Sequence, residues 1–380
     1  MGMTESLKRA SWLELFYDLA FVALVAQLTY LAADNYGGLN DWLTIFIVGY
    51  AIFIAWWGTT ANRNLQDSET ATDKLLIQLQ MVGAFLMSVS MPGIFEGNVG
   101  LFTASFALVR CLQILMIFRL YRLYPERKPN TQNILQGISI ATVLWVAAGF
   151  TPAPYGFIVA GAAVVLDVLT PLTRGKGNTV RLLNMSHLQE RLGLFLMLVI
   201  GESMLVVALA NTAVTTDLTR PAFILSGLFL MIAVWWMYYY HLEQRAEGVR
   251  PKNLFLYLQA HGWLFGSIIL LAAGYKNTIK HGTVEFPDFI FITLGVIGLL
   301  TTLTVIRNAL HGQLRALTRT AAIGVVLLMG LAYLAHQKEW YTEIAGVYTL
   351  LLVVVALFDA KQWHRLETKD QGENVGSPEG

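Results

Sequence analysis

Nine side chains capable of ionic or proton chemistry stand within or at the edge of long apolar stretches: Glu14, Asp18, Arg63, Arg110, His187, Glu190, Arg191, Glu202 and Ser203. An ionisable group at the centre of a bilayer costs about 2.5–3.5 kcal/mol on insertion scales, so such groups face a bundle interior and mark function. Near a span's ends they cost less, because a long side chain can snorkel to the headgroups. In "WLELFYDLAFVALVAQLT", Glu14 and Asp18 are four residues apart, which puts both carboxylates on one helix face about 6 Å apart in depth. Two acids so placed in a low dielectric either exchange a proton or form half of a salt-bridge network. Arg63, Arg119 and Arg191, each at the same end of its stretch, are the candidate cations, and both readings stay open.

In "HLQERLGLFLMLVIGESMLVV", His187 and Arg191 are again four apart, and Glu202 lies eleven beyond Arg191, within about 20° of it around the helix. Glu190 is off that stripe but one turn from His187. Glu202 sits about 18 Å beyond Glu190, past the midplane, and needs a partner or a proton. Arg110, about 14 Å deep from the opposite end of its own stretch, is the expected partner, with Gln113, Ser203 and Gln27 completing a deeper polar layer. That layer is either a closed pair with interhelical hydrogen bonds or a ligand-binding or gating site. His261 reads as a packed, hydrogen-bonded histidine. No HExxH, paired-cysteine, Walker or dinucleotide motif is present, and "GESML" lacks the last glycine of a nucleophile elbow, so no metal or cofactor is expected.

The elements that must carry these groups follow from composition. Of the 380 residues 56% are hydrophobic and 13% charged, with a mean hydropathy of +0.55, which places the chain among membrane proteins. Crossing about 30 Å of hydrocarbon takes about 20 apolar residues. Windows of that length give twelve candidate spans: 12–32, 42–61, 74–91, 101–121, 133–150, 154–171, 188–209, 221–240, 254–273, 287–307, 319–336 and 343–360. With the N-terminus inside, 20 of the 26 Lys and Arg fall on the inner side. Arg220, Lys276, Lys280 and Lys338 fall outside, and Arg110 and Arg191 lie within spans. The bias predicts both termini in the cytoplasm. A net charge of +1 offers no field to recruit nucleic acid, so the expected partners are membrane lipid and a small molecule or ion. The segment 1–11 reads as a mature cytoplasmic N-terminus and 361–380 as a disordered cytoplasmic tail. Cys111, the lone cysteine, reads as a buried structural thiol.

The sequence also matches itself. A shift of 179 residues aligns "LLIQLQMVGAFLMS" with "LFLYLQAHGWLFGS", pairing Gln80 with Gln259, Gly83 with Gly262 and Ser88 with Ser267, and sets Trp56-Trp57 on Trp235-Trp236. The expected architecture is an all-α polytopic membrane protein of about twelve helices, as two parallel six-helix repeats, 12–171 and 188–360, joined by a cytoplasmic linker, 172–187.

The two charged stretches resemble the paired signatures of the bacterial low temperature requirement protein A family. There an ELF-Y/F-DL-x-FV span precedes an H-L-x-ER-x-GLF…GES span. Glu14, Leu15, Phe16, Asp18, Leu19, Phe21 and Val22 carry the first match, and His187, Leu188, Glu190, Arg191, Gly193, Leu194, Phe195, Gly201, Glu202 and Ser203 the second. The resemblance covers about residues 10–365 and implies a multispanning protein of the bacterial cytoplasmic membrane, without fixing any chemistry. The expectation is a transporter of a small molecule or ion with a buried carboxylate/arginine site. The alternatives are an intramembrane enzyme acting on a lipid-like substrate and a sensor or scaffold without chemistry.

Overall fold

The computed structural model describes residues 9–374 apart from 67–69, 125–127, 153, 175–182, 211–218, 243–248 and 312–314. Among the described residues it is all-helical, with twelve helices and no strand. They are α1 Trp12–Asp34, α2 Leu39–Asn64, α3 Ala71–Phe95, α4 Gly100–Leu123, α5 Lys128–Gly149, α6 Tyr155–Arg174, α7 Met185–Leu209, α8 Thr219–Leu242, α9 Leu254–His281, α10 Phe286–His311, α11 Arg315–Lys338 and α12 Tyr341–Asn374. Each falls on one of the twelve apolar windows.

Among the described residues eight helices are long and apolar enough to cross a membrane, α1 to α4 and α7 to α10, and α6 and α12 contribute shorter apolar segments over 155–170 and 341–357. The start of α5, "KPNTQNILQ", is polar. The tail departs from expectation. Instead of losing structure at 361, α12 runs as one helix to Asn374, because Glu, Lys and Gln are good helix formers and propagation adds one hydrogen bond per residue.

Local sequence sets the helix starts that matter most. Ser11 caps α1 reciprocally: its hydroxyl accepts from Glu14 N, and Glu14 Oε2 accepts from Ser11 N at 2.8 Å. Asn184 caps α7 by accepting from His187 N at 3.0 Å. Thus the first turns of α1 and α7 fix the very residues that carry charge.

α1 packs on α2, α3, α7 and α9, and α2 on α4, α6 and α7 as well. Two contacts give the relative direction of α1 and α7. Glu14 meets His187 and Asp18 meets Arg191, both 173 residues apart. A constant difference requires parallel helices, so an odd number of crossings lies between them, as the five helices α2 to α6 allow. The face where α1 begins, the near face, therefore also holds the end of α2 and the starts of α3, α7 and α9. At the far face Lys276 of α9 meets Asp34 at the end of α1 at 3.0 Å, and Asn277 donates to Ala33 O. α9 and α10 approach closely because Gly295 and Gly298 face Leu271 and Ser267, where a Cβ would fall under 3 Å from them.

The buried core runs through all the helices, while Leu75, Phe85, Val89, Val143, Leu209 and Val326 turn outward. Apolar side chains in quantity on an outer surface need hydrocarbon around them. Cys111 turns outward too, so it is not the core thiol expected: its position on α4 faces away from the interior.

Candidate functional site

The charges of α1 and α7 meet in a closed cluster at the near face. Arg191 Nη2 donates to Asp18 Oδ1 at 2.6 Å, and its Nη1 lies 3.5 Å from Glu14 Oε1. Asp18 Oδ1 also accepts from the indole of Trp56 on α2 at 2.7 Å. Arg63, at the end of α2, stands 4.0 Å from Glu14 and donates to Gln66 at 2.6 Å. Asp18 is 0% and Arg191 1% exposed, so neither snorkels and each depends on the other.

The tautomer of His187 follows from its neighbours. The Asn64 side chain is held by backbone on both sides, donating to Asn184 O and accepting from Asn184 N, each at 2.8 Å. That fixes its nitrogen as the group 3.2 Å from His187 Nδ1, which must accept. His187 Nε2 then carries the proton and points at Glu14 Oε2, 3.4 Å away. Two carboxylates face two guanidiniums and a neutral imidazole, and the cluster balances. Below it, Tyr17 donates to Thr59, Thr59 to Gln80 and Gln113 to Thr59, extending the polar layer inward.

Arg110 is elsewhere. The expected pair with Glu202 is not formed: Arg110 Nη2 donates to Asp167 Oδ1 of α6 at 2.6 Å and Nε to Thr142 at 3.4 Å. The second Asp167 oxygen accepts from the Trp145 indole at 2.8 Å. Depth alone allowed either acid, but α4 and α6 share the neighbours α2 and α5, whereas α7 packs on α1, α2, α8 and α9. Arg110 lies about 15 Å along α4 and Asp167 about 18 Å along α6, near mid-membrane.

Two cavities flank this pair. One of about 220 Å³ reaches from Asn62, Leu183 and Leu254 at the near face to Arg110 and Asp167. Another of about 400 Å³ reaches from Gly97, Val99 and Pro152 at the far face to Phe106 and Trp145. The layer Arg110–Asp167–Trp145–Phe106 stands between them. A third, apolar cavity of about 430 Å³ lies between α1, α2, α9 and α10 and shares Tyr50, Phe53 and Gln259 with the first.

The remaining sequence candidates scatter. Glu190 is half-buried and accepts from Ala10 N at 3.0 Å. Glu202 is half-buried with no ion pair among the described residues, and the buried Ser203 hydroxyl has no hydrogen-bond partner there. His261 is a core histidine, as expected, held by the Tyr238 hydroxyl at 2.9 Å and Tyr257 O at 2.7 Å. No group of His, Cys, Asp and Glu suited to a metal occurs among the described residues. Asp167 was missed, although "VVLDVLT" isolates one acid in an apolar run as plainly as "VIGESML" isolates Glu202. Asn64, Trp56 and Trp145 carried no comparable signal.

Fold and buried charge define a multi-pass helical membrane protein. The family description "Bacterial low temperature requirement A protein (LtrA)" matches residues 9–358, and the chain belongs to that family. It is similar to an uncharacterised protein of Rhizobium meliloti (strain 1021), 26% identical over 304 residues, which span 73% of this chain and 72% of that one.

Proposed function

We infer that the protein is a transporter of a small organic solute, whose path runs through the first six helices past the Arg110–Asp167 pair. One observation carries this reading: a mid-membrane ion pair stands between two cavities that reach opposite faces. A pathway closed by a thin polar layer suits access from alternate sides. The α1/α7 cluster instead has the closed, balanced geometry of a latch between helix sets, and it is assigned that role here. This shifts the functional weight from Glu14, Asp18, Glu190 and Glu202 to Arg110 and its partner.

The near face is taken as cytoplasmic, following the positive-charge bias, and the membrane as the bacterial inner membrane. Duplication is also supported. α1 packs on α2 and α3 as α7 does on α8 and α9, and α2 meets α6 as α8 meets α12. The pairs α3–α4 and α4–α5 recur as α9–α10 and α10–α11. The constant 173-residue offset across the α1/α7 seam suits two parallel repeats.

Single cysteines test the path in a Cys111→Ser background. Ala61→Cys, in the first cavity, should react with a membrane-impermeant thiol reagent from the near side. Ala160→Cys, in the second, should react from the far side. Proteoliposomes would then be screened for protein-dependent uptake of labelled carboxylates, amines and neutral solutes. Reaction of both cysteines from one side, or no uptake across the whole set, overturns transport by this route.

A further inference from the structure

We propose that the near-face cavity is a carboxylate site: Arg110 binds the anionic head of a small organic acid whose apolar body lies among Phe53, Ile54 and Trp57. This rests on the transport reading for its route but not for its binding chemistry.

The asymmetry between the two partners is what selects the charge of the ligand. Each oxygen of Asp167 already accepts one strong hydrogen bond, Oδ1 from Arg110 and Oδ2 from the Trp145 indole. In Arg110, Nε reaches Thr142 at 3.4 Å and Nη2 reaches Asp167, while Nη1 makes no hydrogen bond among the described residues. Arg110 lines the cavity, so the unused donor belongs to a group accessible from the near face. A guanidinium presents a planar fork that matches a carboxylate with two parallel hydrogen bonds, and one arm of that fork is vacant. A cationic ligand would meet the Arg110 guanidinium at the cavity wall, whereas an anion can add to Arg110 on its open side while Asp167 keeps its bonds.

The rest of the wall describes the remainder of the ligand. Ile117, Ile134 and Ile138 continue the apolar surface, which is too extensive to suit a fully hydrated ion. Gln259 adds a neutral polar group to the lining from the second set of helices. An inorganic anion would leave most of the cavity unfilled, whereas a carboxylate with an aromatic or branched aliphatic body uses both the fork and the walls.

The test is equilibrium binding to the purified full-length protein in detergent, read by tryptophan fluorescence and thermal shift. The probes are benzoate, benzyl alcohol, benzylamine and chloride. Benzoate should bind saturably, with benzyl alcohol, benzylamine and chloride at least ten-fold weaker. Arg110→Gln should weaken benzoate at least ten-fold. Asp167→Asn removes the competing carboxylate and should bind benzoate several-fold tighter, with a larger thermal shift than the unchanged protein. That variant keeps the test decisive if Arg110→Gln does not fold. Equal or tighter binding of benzylamine, no saturable benzoate binding, or weaker benzoate binding in Asp167→Asn overturns the proposal. Benzoate binding without any flux would remove transport and leave the carboxylate site standing. Flux restricted to amines or neutral solutes would do the reverse.

Discussion

Removing Arg191 should be the most damaging single change at the near face. Its substitution by Met keeps the length and apolar stem but withdraws the guanidinium from two carboxylates. Asp18, 0% exposed, would retain only the Trp56 indole, because its Oδ2 has no hydrogen-bond partner among the described residues. Glu14 would retain Arg63 at 4.0 Å and His187 at 3.4 Å. Breaking a buried pair from one side costs about 3–5 kcal/mol, and with one acid stranded and the other weakened Arg191→Met should lie in the upper part of that range. Asp18→Asn should cost less, about 1–3 kcal/mol, because Arg191 keeps Glu14 at 3.5 Å and Thr60 at 3.4 Å. The double variant Asp18→Asn/Arg191→Met strands no charge at Asp18, so the two losses should not add, and a coupling of about 1–3 kcal/mol is expected. Unfolding in mixed micelles, followed by circular dichroism for all four proteins, measures the cycle. Additive losses would refute the argument. So would an Arg191→Met protein of unchanged stability that has lost flux, since the cluster would then be a working site rather than a latch.

Other expectations follow from the same geometry. Trp56→Phe deletes the donor to Asp18 while keeping an aromatic ring against Phe195, and should cost about 1–2 kcal/mol in the same unfolding assay. Gly295→Val puts a Cβ 2.5 Å from Leu271 and 2.9 Å from the Ser267 carbonyl, so it should separate α9 from α10 at a cost of about 1–3 kcal/mol or more, seen as a lowered melting temperature. Cys111→Ser, on an outward face, should change stability by no more than about 0.5 kcal/mol, where a core thiol would have cost more. Glu202→Gln has no ion pair to break among the described residues and should be neutral or mildly stabilising in lipid, whereas a loss above about 2 kcal/mol would reveal a partner outside them.

The helices were legible because length and hydropathy are properties of the chain itself. All twelve apolar windows became helices, and the capping box at Ser11 and Glu14 is readable in "SWLE". The α1/α7 charge pairing was half legible: the i, i+4 spacing of Glu14/Asp18 and of His187/Arg191 placed each pair on one face, and of the three cations named Arg63 and Arg191 face Glu14, whereas Arg119 faces Asp73 of α3 at 3.5 Å. What spacing could not supply is which helices adjoin. Depth is read from residue count at 1.5 Å per residue, but two groups at equal depth meet only if their helices are close and turned toward each other. Arg110 had two acids at compatible depth, and the neighbours that α4 shares with α6, namely α2 and α5, decided for Asp167. Cys111 failed for the same reason. Its apolar surroundings along the chain said that it lay in a span, and only rotation about α4 decided between core and lipid. Asn64 was invisible for another reason, since its role depends on the Asn184 backbone, 120 residues away.

The two buried ion pairs can be told apart by what adjoins each. Around Asp18 and Glu14 every strong cation faces an acid, and the atoms left without a hydrogen bond, among them Asp18 Oδ2, Glu14 Oε1 and Arg191 Nη1, are buried and belong to residues that line none of the three cavities. A ligand could enter only by breaking a pair that is costly to break, so the arrangement suits permanence. Around Arg110 the satisfied member is the acid, the cation retains a free arm, and open volume lies beside it. Here an anion can add at the open arm of the guanidinium while Asp167 keeps its own hydrogen bonds. Burial and charge are nearly the same at both places, so neither distinguishes a latch from a site. The difference lies in spare hydrogen-bonding capacity adjoining a cavity, and it points to α4 and α6, rather than to the most heavily charged stretches of the sequence, as the place to look for the ligand.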